Sequence, residues 1–199
     1  MIHRLSTIHL TMKKYLLPFL SIITILSVSI GCTNSSKLYQ LNNRNRNKAG
    51  ILSETSFTEL HRFLNLVKSH SITDTLIIKY DYNHETCWNI LDQGDDERIK
   101  SMITSGKQWM EKLATARQNV SFFHFRELGN DLNKIIKWDD SIIIDSSKLL
   151  LNLLFKQRST CGTSIMVMPD KRLIYVRSDS HFEVFDLKQK DIEAILGRR

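Results

Sequence analysis

The sequence predicts an α/β domain built on a mixed sheet flanked by helices. Three observations carry that expectation. Segments rich in β-branched and aromatic residues alternate with segments of helical period. The last two strands are joined by the tight turn Met168-Pro169-Asp170-Lys171 rather than by a helix. About 150 residues follow a polar stretch ending near Gly50, enough for one domain with one core. Strands joined through helices lie parallel with right-handed crossovers, and a closing hairpin adds antiparallel partners.

The elements follow in order. Ser56-Phe57-Thr58-Glu59 reads as a capping box, and Phe57, Leu60, Phe63, Leu64 and Val67 repeat at helical spacing toward His70. Thr75–Tyr82 reads as a strand with Leu76, Ile78, Tyr80 and Tyr82 on one face and Ile77 and Lys79 on the other. Asp95 or Asp96 caps a second helix whose apolar positions are Ile99, Met102, Ile103, Met110 and Leu113, with Gly106 a weak point. Val120–Phe125 is a second strand, and a short helix spans Asp131–Trp138. Ile142-Ile143-Ile144 is too short to assign alone, and Ser146 or Ser147 opens a helix through Leu149, Leu150, Leu153 and Leu154. Ser164–Met168 and Arg172–Val176 form the hairpin, and Asp186 caps a last helix closed by Gly197.

The amino-terminal segment carries an address. Lys13 and Lys14 precede an apolar run, Tyr15–Ile30, that at 16 residues is short for a membrane span of about 20. Val28-Ser29-Ile30-Gly31-Cys32 follows and resembles the cleavage site of bacterial lipoprotein signal peptides, with Ser29 where that family usually has Leu. The resemblance implies removal of residues 1–31, acylation of Cys32 and a membrane anchor through its lipid, two or more chains giving stable attachment. Thr33 is not the Asp linked to inner-membrane retention, so the resemblance implies an outer-membrane lipoprotein facing the periplasm of a bacterial cell envelope. Met1 and Met12 are both possible starts. Residues 32–50, polar and basic, read as a tether, and 51–199 as the folded domain.

Losing residues 1–31 would remove Arg4, Lys13 and Lys14 and no acid, lowering the formal charge from +7 to +4. That is too mild a charge for nucleic acid. With seven glycines and neither a glycine-rich phosphate loop nor a Gly-x-Ser-x-Gly elbow, nucleotide binding and serine hydrolysis find no support, and no cofactor is expected. Asp81 to Trp88 gathers acid, imidazole and thiol but lacks a zinc-ligand spacing, so no metal is expected either.

The order helix, strand, helix, strand, helix, hairpin, helix resembles the thioredoxin-like fold, in particular its redoxin and peroxiredoxin branch. Leu76–Trp88, Val120–Phe125, Ile142–Asp145 and Thr163–Val176 carry the resemblance. It implies that Cys87, just past the first central strand, and Cys161, in the loop before the hairpin, face each other at one rim of the sheet. Two departures stand out. Cys87-Trp88-Asn89-Ile90 has no second cysteine, and Cys161-Gly162-Thr163-Ser164 replaces the family's cis-proline. Three states of the two sulfurs are open: a structural disulfide, a redox pair, or two unrelated buried thiols.

Beside that rim, His84 and Glu85 are candidate bases for Cys87, and Trp88 and Thr163 candidate cleft residues. His124 reads as a strand residue, packed or half exposed, and His181 as a loop residue with no place in the site. The leading functional expectation is a degenerate redoxin binding a protein or peptide at the old active-site edge. A thiol–disulfide oxidoreductase working through Cys87 and Cys161 is the alternative, and a structural or immunity-type envelope lipoprotein a further one.

Overall fold

The computed structural model describes residues 46–68, 71–83, 85, 87, 93–129 and 137–197, all within one compact unit, Leu41–Arg199. The expected signal peptide, the lipid site Cys32 and most of the expected helix at Asp131–Trp138 lie outside them.

Eleven short segments of regular structure appear among the described residues: β1 (Asn47–Ile51), α1 (Glu54–Val67), β2 (Thr75–Asp81), α2 (Asp96–Ala116), β3 (Val120–Glu127), β4 (Ile143–Asp145), α3 (Leu149–Leu153), β5 (Thr163–Val167), β6 (Arg172–Arg177), a 3-10 turn (Glu183–Asp186) and α4 (Gln189–Leu196). The strands form one sheet in the order β1-β6-β5-β2-β3-β4. β2 and β3 are parallel, as the α2 crossover requires, and β3 and β4 are parallel too. β5 pairs antiparallel with both β2 and β6. This is a thioredoxin-like mixed sheet, with β1 added antiparallel to β6 at one edge.

Several local expectations shift. Asn47–Gly50, inside the expected tether 32–50, belong to β1, because their backbone groups satisfy the open edge of β6. The first helix is capped by Ser53, whose Oγ accepts from the Ser56 N–H at 3.1 Å, so it begins a turn earlier than the Ser56 box suggested. Asp95 caps α2, accepting from the Arg98 N–H at 2.8 Å. Met102, assigned to the core, is 51% exposed. α3 is started chiefly by Asp145, whose two carboxylate oxygens accept from the N–H groups of Leu149 (2.9 Å) and Leu151 (3.0 Å), with Ser147 adding a longer bond. Asp186 closes the 3-10 turn instead of capping the last helix, and Asp191 accepts from the Lys188 N–H at 3.1 Å to start α4. Gly197 keeps a right-handed φ of −76°, so it is not a left-handed cap.

The sheet separates two apolar layers. Leu76, Ile78, Tyr80, Phe123, Phe125, Ile165 and Val167 pack with Leu60, Leu64, Leu150 and Leu154 of α1 and the α3 region. On the opposite face Ile77, Met166, Ile174 and Val176 pack with Met110, Phe185 and Ile195. Alternation along β2 therefore sends Tyr80 to one layer and Lys79 and Asp81 to the other.

Candidate functional site at the rim of the sheet

Cys87 and Cys161 form a disulfide, their Cα atoms 5.1 Å apart across a separation of 74 residues. The Cys87 N–H also reaches the Thr160 carbonyl at 3.4 Å. Cys87 is half-buried, whereas Cys161 is 7% exposed, so Cys87 is the more accessible residue of the bridge.

Charge is buried directly beneath the bridge. Lys79, 0% exposed in the middle of β2, donates from Nζ to the Cys161 carbonyl at 3.0 Å and pairs with Asp81 Oδ1 at 3.1 Å. Asp81 Oδ2 lies 2.7 Å from Nε2 of His124, the residue opposite Lys79 on β3. Burial alone would push the Asp81 carboxyl up, but Lys79 and His124 outweigh it and hold the group well below the usual carboxylate range. Burial would likewise lower the Lys79 ammonium, and Asp81, Asp179 and Glu85 together keep it raised instead. Glu85 behaves the other way. Burial first, then the neighbouring Asp81 charge, lift its carboxyl well above the ordinary range. Its Oε2 accepts from the Tyr82 N–H at 3.1 Å.

Gly162 permits this approach. Its φ is +72°, and a Cβ there would sit 2.4 Å from Lys79 Nζ and 2.8 Å from the Tyr80 carbonyl, so a side chain is excluded by both conformation and space. The Gly162 carbonyl accepts from the Asp179 N–H at 3.3 Å. Asp179, itself fully buried, accepts from the Glu183 N–H at 2.6 Å and thereby fixes the loop that carries His181 and Phe182. Phe182 is held at φ 56°, a strained conformation for a bulky residue. Its ring lies 5.6 Å from Lys79 Nζ and 5.7 Å from the His124 ring.

A cavity of about 590 Å³ opens beside the bridge, lined by Cys87, Met102, Trp109, Met110, His124 and Phe182 among others. Its walls are mostly apolar and aromatic, with Asp81, Lys107, His124, Asp139 and His181 also on the lining. Met102 and Trp109 on α2 are 51% and 39% exposed, so the cavity mouth presents apolar surface to solvent. Among the described residues no cluster of His, Cys, Asp and Glu is arranged to hold a metal ion, and no helix is long and apolar enough to cross a membrane.

No protein-family model matches the chain, and no curated protein matches it. Among solved structures it is similar to a secreted Mycobacterium tuberculosis disulfide oxidoreductase homologous to E. coli DsbE, at 8% identity and a TM-score of 0.35, over 63% of this chain and 82% of that one. A likeness that slight carries neither the fold nor the chemistry, which rest on the strand order and the rim geometry.

The expected site residues fare unequally. The two cysteines meet. Glu85 is 3% exposed with Oε2 accepting from the Tyr82 N–H, so it is not a solvent-side base for Cys87. Thr163 faces the opposite layer, buried, where its Oγ1 accepts from Tyr82 at 3.3 Å and bonds Ser159 at 2.9 Å, so it lines no cleft. His84 and Trp88 lie outside the described residues. His181, expected to have no place in the site, lines the same cavity as Cys87, because Asp179 ties its loop back to the rim. Lys79, Asp81 and His124 were not singled out as a cluster. Their signal was a charged pair two residues apart inside the otherwise apolar and aromatic run Leu76–Tyr82, which places two ionised groups on one face of a central strand.

Proposed function

We propose that this protein is an envelope lipoprotein that carries out thiol–disulfide exchange through Cys87 and Cys161, on protein segments with apolar side chains near the reacting cysteine. One observation carries the reading. Cys87, the less buried residue of a disulfide, lines a mostly apolar cavity, with a lysine–aspartate ion pair and a histidine buried behind it. Buried charge is costly, and strongly perturbed groups beside a reactive sulfur are characteristic of functional sites. The accessible Cys87 is the sulfur that a partner thiol attacks. The enclosed Cys161, whose backbone carbonyl accepts from the Lys79 ammonium, supplies the leaving sulfur. The lipobox at Val28–Cys32 supports placement at the periplasmic side of the outer membrane, where disulfides persist.

A second reading has its own observation in favour: Cys87-Trp88-Asn89-Ile90 lacks a neighbouring resolving cysteine. The bridge would then be structural, worth about 4 kcal/mol in the chain-entropy model, and the cavity a peptide-binding surface. A trapping experiment separates the two. Cys161→Ser should accumulate a mixed disulfide through Cys87 when given a disulfide-bonded peptide, the Cys87 thiolate attacking and one peptide thiol leaving, and Cys87→Ser should not. An oxidised wild type inert to millimolar dithiol, with no trapped adduct, would leave the binding module. Palmitate incorporation lost in Cys32→Ala tests the anchor independently.

A further inference from the structure

The chain enters the fold at the rim that holds the bridge. Arg46, just before β1, donates from its guanidinium to the carbonyls of Arg177 at 2.9 Å and Ser178 at 3.1 Å. Register sets the start of β1 at that end, with Asn47 opposite Val176, while Ile51 pairs with Arg172 at the other. The Ser178 N–H donates in turn to Ser159 Oγ at 3.2 Å, two residues before Cys161. Three more cations stand beside Arg46. The segment Lys156–Ser159 runs over the ends of β2, β3 and β6: the Gln157 carbonyl accepts from Tyr82, the Gln157 side chain accepts from Arg177, and Arg158 pairs with Glu127. Lys156 and Arg158 are exposed and Arg177 is half-buried. Neither Lys156 nor Arg177 has a carboxylate partner among the described residues. Acids bound the patch on one side, where Arg46 pairs with Glu183 and shares a hollow with Asp186 and Asp191. At the opposite end of the sheet Lys171 and Arg172 are each paired, with Glu54 and Asp170.

We infer that this rim rests on an anionic phospholipid surface through Arg46, Lys156, Arg158 and Arg177. The inference rests on the lipoprotein part of the reading above. Arg46 lies 14 positions after Cys32, and from Cys32 to Ser53 the sequence holds Lys37, Arg44, Arg46 and Lys48 and no acid. A polar tether of that length has a root-mean-square reach of about 20 Å. A domain of about 150 residues is roughly 40 Å across. The tether is short against the domain, so the end it leaves from faces the membrane more often than the end opposite. Charge then holds that orientation. Each cation near an anionic leaflet strengthens binding about fivefold, and a short tether supplies a millimolar effective concentration, so a few cations suffice. Pairing with Glu127 and Glu183 discounts Arg158 and Arg46, and Lys156 and Arg177 carry most of the attraction. Docking in this way leaves the Cys87 cavity open. Lys156–Arg158 follow α3 in one apolar layer, whereas the cavity is walled by Met110 and Phe182 of the other.

The test labels the acylated mature chain, attached by its own lipid to vesicles, with a membrane-impermeant amine reagent. Lys156 is the probe, and Lys112, exposed toward the far end of α2, is the internal control. The vesicles are phosphatidylcholine alone or an equal mixture with phosphatidylglycerol. Lys156 should label about tenfold more slowly on the anionic vesicles than on the neutral ones and Lys112 within about twofold, and about 0.5 M salt should erase the difference. Arg177→Gln should lose about fivefold of the protection, and Lys171→Gln, the same charge change at the opposite end, should lose none. Equal slowing of Lys156 and Lys112, slowing of neither, the same slowing on neutral vesicles, or equal effects of the two substitutions overturns the docked orientation. Intact mass, read before labelling, tests the anchor: a Cys32 without acyl groups overturns the lipoprotein reading itself, so the two failures are distinct.

Discussion

The two faces of β2 at the rim make an instructive pair. Tyr80 and Tyr82 face the α1 and α3 layer, and Lys79 and Asp81 face the other. Both sets are polar and fully buried, or nearly so. On the tyrosine face both tyrosine hydroxyls have hydrogen-bond partners. Tyr80 donates to Asp145 Oδ2 at 3.1 Å and stacks on Phe155 with ring centroids 4.6 Å apart, and Tyr82 donates to the Gln157 carbonyl at 3.1 Å. Burial and nearby carboxylates push both hydroxyls upward, so they stay protonated donors at all ordinary pH. On the lysine face the groups are ionised, one histidine nitrogen is unpaired, and a cavity adjoins them. A face built only for stability resembles the first. The second keeps costly charge beside a sulfur and open space, which is the arrangement chemistry needs.

The largest expected difference between the faces comes from deleting one charge. Lys79→Met leaves the Asp81 carboxylate without its buried cation and should cost about 3–5 kcal/mol in urea unfolding. A loss under about 1 kcal/mol would show that the pair is not buried as described, and the contrast would collapse. Tyr80→Phe should cost less, about 1–2 kcal/mol, because Asp145 keeps its two backbone donors and loses only one bond. Should Tyr80→Phe prove as damaging as Lys79→Met, the faces would be energetically alike.

The smallest effect is a slope with pH. Asp81 has a depressed folded pKa, so its stabilisation is present above its ordinary value near 3.8 and fades as pH falls below it. Glu85 has a raised one, so its contribution is full below its ordinary value near 4.5 and is lost as pH rises toward the folded pKa. Glu85→Gln should therefore gain stability relative to wild type as pH increases above about 4.5, read from urea midpoints across pH 4–8. A gap between the two proteins that stays constant with pH would mean that Glu85 is hydrated rather than buried beside Asp81.

Much of the frame was legible along the chain. β2, β3 and the hairpin followed from β-branched runs and a proline turn, because such signals act within a few residues. The α2 crossover fixed β2 and β3 as parallel neighbours, and the thioredoxin-like resemblance put both cysteines at one rim. Other features were not legible. β1 hid in a polar stretch because an edge strand needs only backbone groups, and β4 is three residues long and held by pairing to β3. His181 looked remote because its distance from Cys87 is set by Asp179, a hydrogen bond to a carbonyl contributed from another loop.

Sequence alone determined the order and polarity of the core strands, the two cysteines available to pair and the lipobox-like motif, since each depends on residues close together or on composition. Only the tertiary structure decided that Lys79, Asp81 and His124 meet under the bridge and that Thr163 turns away from it. Those outcomes depend on which face of the sheet each side chain takes and on which residues of β3 fall beside β2. A one-residue slip of register would move the histidine to the other layer, and nothing local to either strand fixes that choice.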